Sequence, residues 1–94
     1  MATTVIHVRD MLSDDVYIGR YHRRSGRAES VWANPFHIGQ DGTRDDVIAK
    51  FRAYLLDRPW LLERLGELKG KRLACWCAPA ACHGDVLAEL AEAV

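Results

Sequence analysis

A short apolar run near the end of the chain does most to limit the fold. The run, Leu73–Cys77, lies between two basic residues and an Ala-Pro pair, which is typical of a buried strand. Near the start, the β-branched segments Thr3–Val8 and Val16–Ile18 are predicted to be two further strands. Because helical segments separate the third strand from the first two, it can join them in parallel through a right-handed crossover. The sequence therefore predicts a small α/β fold with a three-stranded, at least partly parallel sheet.

About three helices are expected to flank this sheet. The first begins after Thr43, which suits the N-cap position because two acidic residues follow it in the first turn. The second runs from Pro59 to Gly70, with Trp60 on its apolar face. The third covers residues 82–94. Its expected inner face consists of Val86, Leu87, Leu90, Ala91 and Val94.

Composition limits the kind of protein. With 94 residues, 49% of them apolar, the chain is expected to form a single α/β domain over residues 1–94. Basic and acidic residues number 13 each, which excludes a strongly basic nucleic-acid coat protein but not a local basic patch. No apolar run approaches the roughly 20 residues of a membrane span, and the first ten residues lack a signal-peptide pattern. We therefore expect a cytoplasmic protein with no membrane partner.

Three cysteines within eight residues are the most informative feature for function. In a reducing compartment, such a group is more typical of metal binding or catalysis than of disulfide bonding. Alternation along the third strand places Cys75 and Cys77 on one face, and Cys82 and His83 follow at the start of the last helix. These four residues form a three-sulfur, one-nitrogen ligand set, so zinc is the predicted cofactor. Their spacing differs from the usual pair of Cys-x-x-Cys motifs.

Thiolate catalysis is a second interpretation of the same segment. A helix N-terminus lowers the pKa of a thiol, which favours Cys82, or Cys77 nearby, as a nucleophile. His83 or Asp85 would then be the base or would orient it. A third interpretation is structural: free cysteines pack as small apolar side chains, Asp85 interacts with the helix dipole, and His83 is an exposed polar group.

The long segment 20–42 carries the second group of candidate residues. Arg20 directly follows the second strand, so it would lie beside the cysteines if the second and third strands are parallel neighbours. Guanidinium groups suit phosphate geometry, although a solvated loop is the simpler interpretation of Arg23, Arg24 and Arg27. Further along, Asn34 can bond the backbone or a ligand. The aromatic residues Trp32 and Phe36 can form a pocket wall or fix the loop to the core.

Several longer strings of residues resemble a known family. They are Val16–Arg20, Ser30–Phe36, Ile38–Arg44, Gly70–Pro79 and Cys82–Asp85. Together they resemble the domain-of-unknown-function family 4326 of bacteria and phages, which has no assigned activity. The segment Tyr21–Glu29 departs from it, because it is longer and more basic than the link expected there. The resemblance implies that the characteristic positions are Arg20, Ser30, Trp32, Asn34, Pro35, Phe36, Cys75, Trp76, Cys77, Pro79, Cys82, His83, Gly84 and Asp85.

We expect one pocket at the C-terminal edge of the sheet, because it explains both unusual segments together. The predicted ligand-binding residues are Arg20, Ser30, Trp32, Asn34, Phe36 and Trp76. The leading prediction is a small enzyme or binding protein for a nucleotide, nucleoside or nucleic-acid end, with Arg20 on a phosphate and Trp32 stacked on a base. The alternative is a non-catalytic, zinc-stabilised interaction module. A third possibility is a subunit of a larger assembly, with Trp32 and Trp60 at an interface.

Overall fold

The structure, a computed structural model, describes residues 2–94. Its three strands are β1 (Thr4–His7), β2 (Val16–Tyr17) and β3 (Arg72–Cys75), in the order β1-β3-β2, and both strand pairs are parallel. The predicted class is confirmed: this is an α/β fold with a three-stranded parallel sheet. The apolar run of β3 is buried because this strand lies at the centre of the sheet.

Three helices accompany the sheet: α1 (Arg44–Leu56), α2 (Pro59–Leu62) and α3 (His83–Glu92). The cap predicted at Thr43 is confirmed. The Oγ1 atom of Thr43 accepts a hydrogen bond from the backbone N–H of Asp46 at 3.2 Å, and the Asp46 carboxylate accepts one from the backbone N–H of Thr43 at 2.9 Å. This reciprocal capping box fixes the point at which the long segment becomes α1.

The helix predicted over residues 59–70 is wrong in its extent, and Trp60 does not belong to its buried face. After α2 the chain passes through a 3₁₀ turn, Leu65–Glu67. The buried side chains are Leu61, Leu65 and Leu68, which lie three to four residues apart and form one stripe. Trp60 lies beside this stripe and is 61% exposed. Val94, predicted on the inner face of α3, is also exposed because it lies beyond the end of that helix.

One hydrophobic core joins these elements. Helix α1 packs on α3, and α3 packs on β1 and β3. The largest fully buried side chains are Phe51, Ile18, Leu55, Leu68, Leu73 and Leu87. In the part of the chain that the structure describes, no helix is long and apolar enough to cross a membrane.

A salt bridge joins the start of β3 to the connection before β2. Atoms Nε and Nη2 of Arg72 donate to the Asp15 carboxylate at 2.8–3.1 Å, and the backbone N–H of Leu12 donates to the same carboxylate at 2.8 Å. The hydrogen bonds from Arg72, followed by the one from Leu12, lower the pKa of Asp15 below its usual value near 3.8. Folding therefore favours the ionised carboxyl group.

This salt bridge makes stability depend on acid pH. The contribution of Asp15 is present above the carboxyl group's usual pKa, and it is lost as the pH falls through the lowered value of the folded state. We expect Asp15→Asn to lower the Tm at pH 7, by an amount that shrinks below about pH 4. Thermal unfolding from pH 2 to pH 7 measures this difference, with the exposed neighbour Asp14→Asn as control. A difference in Tm between Asp15→Asn and the unsubstituted chain that stays constant from pH 2 to pH 7 would contradict the lowered pKa of Asp15.

Candidate functional site

The parallel pairing brings the carboxyl ends of β2 and β3 together. In the register of the sheet, Tyr17 lies opposite Ala74, so the residues that follow the two strands are neighbours. A pocket of ≈ 100 Å³, which we call the sheet-edge pocket, opens at this point. Its lining residues are Gly19, Arg20, Asn34, Phe36, Ile38, Arg44, Val47, Ile48, Cys75–Cys77 and Ala81–His83. The two segments that the sequence singled out therefore meet in one place.

Two of the three cysteines are in direct contact. The Sγ atoms of Cys75 and Cys82 lie 3.1 Å apart, and both side chains are buried and reduced. The separation exceeds the roughly 2.05 Å of a disulfide. It is shorter than the roughly 3.8 Å that two sulfur ligands span across a tetrahedral zinc ion at about 2.3 Å. The geometry is that of a hydrogen bond between sulfur atoms.

The surroundings of the two sulfur atoms differ. The hydrogen bond from Cys82, helped by the backbone N–H groups of Ala78 and Cys77, lowers the pKa of Cys75 to about 6. The same bond, together with burial, raises the pKa of Cys82, although the backbone N–H of Gly84 also donates to its sulfur at 3.3 Å. These directions favour Cys75 as the thiolate of the pair. The role of Cys82 as the nucleophile stays a prediction.

The other two candidate catalytic residues are used by the fold. His83 is buried and its Nε2 donates to the carbonyl oxygen of Ile18 at 2.8 Å. Burial lowers the pKa of His83, which favours the neutral ring, so its description as an exposed polar group is wrong. The Asp85 carboxylate accepts from the backbone N–H of Cys82 at 3.1 Å and completes a capping box for α3. Asp85 is exposed and lies outside the lining of the sheet-edge pocket.

The predicted zinc ligands do not converge as a set. Across residues 2–94, no three His, Cys, Asp or Glu side chains are arranged to hold a metal ion. Cys75 and Cys82 meet, and Cys77 also lines the pocket, but the Nε2 atom of His83 is committed to Ile18. Zinc binding stays a prediction, and the arrangement described here offers two adjoining thiols for it.

Two arginines line the sheet-edge pocket. The Nη1 atom of Arg20 donates to Nδ1 of His37 at 2.9 Å, and Nη1 of Arg44 donates to the carbonyl oxygen of Ala81 at 2.9 Å. Sequence reasoning missed Arg44. A signal was present, because Arg44 is the first residue of α1, where the helix dipole disfavours a cation. A basic residue at such a position is a reason to look for a role outside the helix.

Trp32 and Ser30, two of the predicted ligand-binding residues, do not line the sheet-edge pocket. The indole of Trp32 is 3% exposed and belongs to the core, so it cannot stack on a ligand base. The Oγ atom of Ser30 accepts a hydrogen bond from the backbone N–H of Trp32 at 3.0 Å and so shapes the local turn. An apolar aromatic side chain in a long loop fits a pocket wall or a core position equally well, and the sequence alone does not distinguish them.

Asn34 and Phe36 do line the pocket. The Asn34 amide nitrogen donates to the carbonyl oxygen of Val47 at 3.2 Å, and its amide oxygen accepts from the backbone N–H of Phe36 at 3.0 Å. Asn34 therefore fixes the loop against α1. The ring of Phe36 meets that of Tyr54 edge to face, with 6.1 Å between their centroids.

Trp76 is the exposed aromatic residue of the pocket. Its side chain is 41% exposed, and its indole Nε1 donates to the hydroxyl oxygen of Tyr17 at 2.9 Å. The ring of His22 stacks on the indole with a centroid separation of 4.3 Å. This hydrogen bond and this stacking hold the Trp76 ring at the mouth of the pocket.

The basic segment after Arg20 forms a small hairpin. His22 and Arg27 pair as an antiparallel bridge, and Gly26 has a φ of 71°, which a glycine adopts without strain. Arg23 and Arg24 are exposed, as a solvated loop predicts. Arg27 is half-buried, because its guanidinium lies over the ring of Tyr17, 5.4 Å from the ring centroid.

Gly84 permits the close packing at the start of α3. A Cβ atom at this position would lie 2.8 Å from Cδ1 of Ile18 and 3.2 Å from Sγ of Cys82. These separations are shorter than normal contacts, so a larger residue would displace the thiol pair or the end of β2. The glycine of the Cys-His-Gly-Asp string thus has a steric explanation.

The fold and the site together define a class of protein: a small parallel α/β protein whose pocket, at the strand ends, holds a thiol pair and two arginines. The chain belongs to the family described as Domain of unknown function (DUF4326), whose model matches residues 6–93. This match confirms the resemblance that the sequence strings indicated.

Two viral proteins are similar to this chain. "Uncharacterized protein R718" of Acanthamoeba polyphaga mimivirus is 37% identical over 81% of this chain and 65% of its own length. The "Uncharacterized 12.4 kDa protein in nrdA-td intergenic region" of Enterobacteria phage T4 is 36% identical over 65% of this chain and 59% of its own length. The chain therefore spans less than two thirds of either relative. No solved structure matches it.

Proposed function

We propose that the sheet-edge pocket binds the phosphate of a nucleotide or of a nucleic-acid end. The observation that carries this proposal is the presence of Arg20 and Arg44, from two separate segments, in the lining of one pocket. A guanidinium group has five N–H donors in a planar fork that matches a phosphate. One donor of each arginine makes the hydrogen bond described above, and the remaining donors suit an anion.

The size of the pocket indicates which part of a nucleotide it would hold. A volume of ≈ 100 Å³ is below the roughly 300–1,000 Å³ typical of sites that enclose a whole small molecule. A phosphate group is a better match to that space than a complete nucleotide. The base would then lie outside, against the face of the Trp76 indole that His22 does not cover, where stacking contributes about 1–3 kcal/mol. This assigns to Trp76 the stacking role that sequence reasoning gave to Trp32.

Calorimetric titration with AMP, adenosine and inorganic phosphate tests this proposal. We expect AMP to bind more tightly than either adenosine or phosphate, because it makes both kinds of contact. Arg44→Gln removes a charged donor, and a hydrogen bond to a charged group contributes about 1.5–3 kcal/mol. AMP binding is therefore expected to weaken about 10- to 100-fold in this variant, while adenosine binding is unchanged.

A matched control lies on the same helix. Arg52 forms a salt bridge with Glu89 at 2.8 Å and does not line the pocket. Arg52→Gln should therefore leave AMP binding unchanged. Equal weakening by both arginine variants would indicate only a general effect of charge. Absence of AMP and phosphate binding at millimolar concentration would overturn the proposal.

A further inference from the structure

We propose that Cys75 and Cys82 form a two-cysteine redox centre, which a peroxide oxidises to an intrachain disulfide. This activity goes beyond phosphate binding and does not depend on it. Its basis is the contact between the two sulfur atoms within the sheet-edge pocket.

The backbone already holds the two sulfur atoms close to bonding distance. Cys75 is the last residue of β3, and Cys82 is the N-cap of α3. Their Sγ atoms would move together by about 1 Å, from 3.1 Å to the roughly 2.05 Å of a disulfide. Cys77 is a poorer partner for Cys75, because one intervening residue rarely permits an unstrained disulfide.

The proposal gives each sulfur atom one role. The backbone N–H of Gly84 donates to the Cys82 sulfur at 3.3 Å, and the Cys82 S–H donates to the Cys75 sulfur across the 3.1 Å contact. The Cys75 sulfur attacks the oxidant, and the Cys82 sulfur completes the disulfide.

The reaction balances with hydrogen peroxide as the oxidant. The Cys75 sulfur attacks one peroxide oxygen, the O–O bond breaks, and the departing hydroxide takes a proton to become water. This leaves a sulfenic acid on Cys75. The Cys82 sulfur then attacks the Cys75 sulfur, so that the S–S bond forms, the S–O bond breaks and a second water leaves. The two thiols supply the two electrons that reduce the peroxide.

The pocket provides access for a small oxidant but restricts larger molecules. Both cysteines line it, while their own exposed fractions are only 2% and 4%. A volume of ≈ 100 Å³ holds several water-sized molecules, so hydrogen peroxide fits. We expect the native thiol pair to discriminate in favour of small peroxides.

Peptide mass spectrometry after peroxide treatment tests the proposal. Cleavage after Arg72 yields one peptide, residues 73–94, that contains all three cysteines and no further Lys or Arg. Native protein is treated with hydrogen peroxide, then unfolded and alkylated. We expect this peptide to become two hydrogens lighter and to carry one alkyl group, on Cys77. Dithiothreitol should restore three alkylatable thiols.

Single substitutions assign the bond. Cys77→Ser should form the disulfide as readily as the unsubstituted chain. Cys82→Ser should form none, and its Cys75 should instead gain two or three oxygen atoms by further oxidation. Serine is a favoured N-cap residue, so this variant keeps the start of α3. Cys75→Ala tests the attacking sulfur and avoids placing a new hydroxyl group in the core.

Two results would overturn the proposal. One is a disulfide that includes Cys77 in the unsubstituted chain. The other is disulfide formation that is no faster in the native protein than in protein unfolded by urea, which would mean that the fold does not promote the bond. Both readouts are independent of AMP binding, so the two proposals can fail separately.

Discussion

The Cys75 thiol is expected to titrate with a midpoint near pH 6, at least two pH units below an ordinary cysteine. The hydrogen bond from Cys82 is the main cause, and the backbone donors at Ala78 and Cys77 add to it. The ultraviolet absorbance of the thiolate measures this midpoint without requiring a reagent to enter the pocket. Cys75→Ala should remove the transition near pH 6, and Cys77→Ser should retain it.

The titration midpoint distinguishes Cys75 from an ordinary cysteine more clearly than the alkylation rate at pH 7 does. A thiol with a pKa of about 6 is roughly 90% ionised at pH 7, against roughly 3% for a pKa near 8.5. A less basic thiolate is also a weaker nucleophile, with a Brønsted coefficient of about 0.4–0.5, which offsets most of that advantage. The rates at pH 7 would differ only a few-fold, whereas the midpoints differ clearly.

The same titration connects the thiol pair to the proposed phosphate site. An anion bound beside a thiolate disfavours its charge, so AMP should move the midpoint upward. The phosphate of AMP itself titrates near pH 6, so the thiolate effect is isolated by comparison with Cys75→Ala. By linkage, the ratio of the AMP affinity of the unsubstituted chain to that of Cys75→Ala should fall as the pH rises through the midpoint. A midpoint above pH 8 in the free protein would contradict the assignment of Cys75 as the thiolate.

Phe51→Ala is expected to cost about 3–5 kcal/mol of the free energy of unfolding. The ring of Phe51 is 1% exposed, stacks on Tyr54 at 5.9 Å and meets the edge of His83 at 4.9 Å. The total free energy of unfolding of a domain of this length is about 5–14 kcal/mol, so the expected loss is a large fraction of it. Urea unfolding followed by circular dichroism measures it.

The control for this substitution lies at the end of the same helix. Leu56 is 53% exposed, and Leu56→Ala should change the free energy of unfolding by about 0.5 kcal/mol or less. Comparable losses in the two variants would show that the core is not organised around Phe51. Loss of ring packing on His83 should also loosen the contact between α3 and the end of β2.

The sheet and the position of the pocket could be predicted because they depend on order along the chain. The apolar run of β3 follows the helices α1 and α2, and this order favours parallel pairing. The cap at Thr43 was predictable because it uses residues three positions apart. Given parallel strands, Arg20 and the cysteine segment had to meet.

Side-chain roles that depend on three-dimensional neighbours were less predictable. The choice between Trp32 and Trp76 depends on which indole the core covers, and both occur in strings of similar character. The choice between Cys75 and Cys82 depends on the donors around each sulfur, several of which are backbone N–H groups. Trp60 was expected on the apolar face because one long helix was predicted. In the structure the helix is short, and the buried stripe of Leu61, Leu65 and Leu68 leaves Trp60 exposed.

The central position of β3 also bears on how the chain is made. Thr4 pairs with Arg72 and Val16 pairs with Leu73, so within the sheet a strand that is synthesised late lies between β1 and β2. At about 5–20 residues per second, a ribosome needs about 3–11 s to pass from Tyr17, the end of β2, to Arg72, the start of β3. Throughout that interval the nascent chain holds two strands without a partner. Completion of the sheet is therefore a late, non-local event, and the growing chain depends on its helical segments for any earlier order.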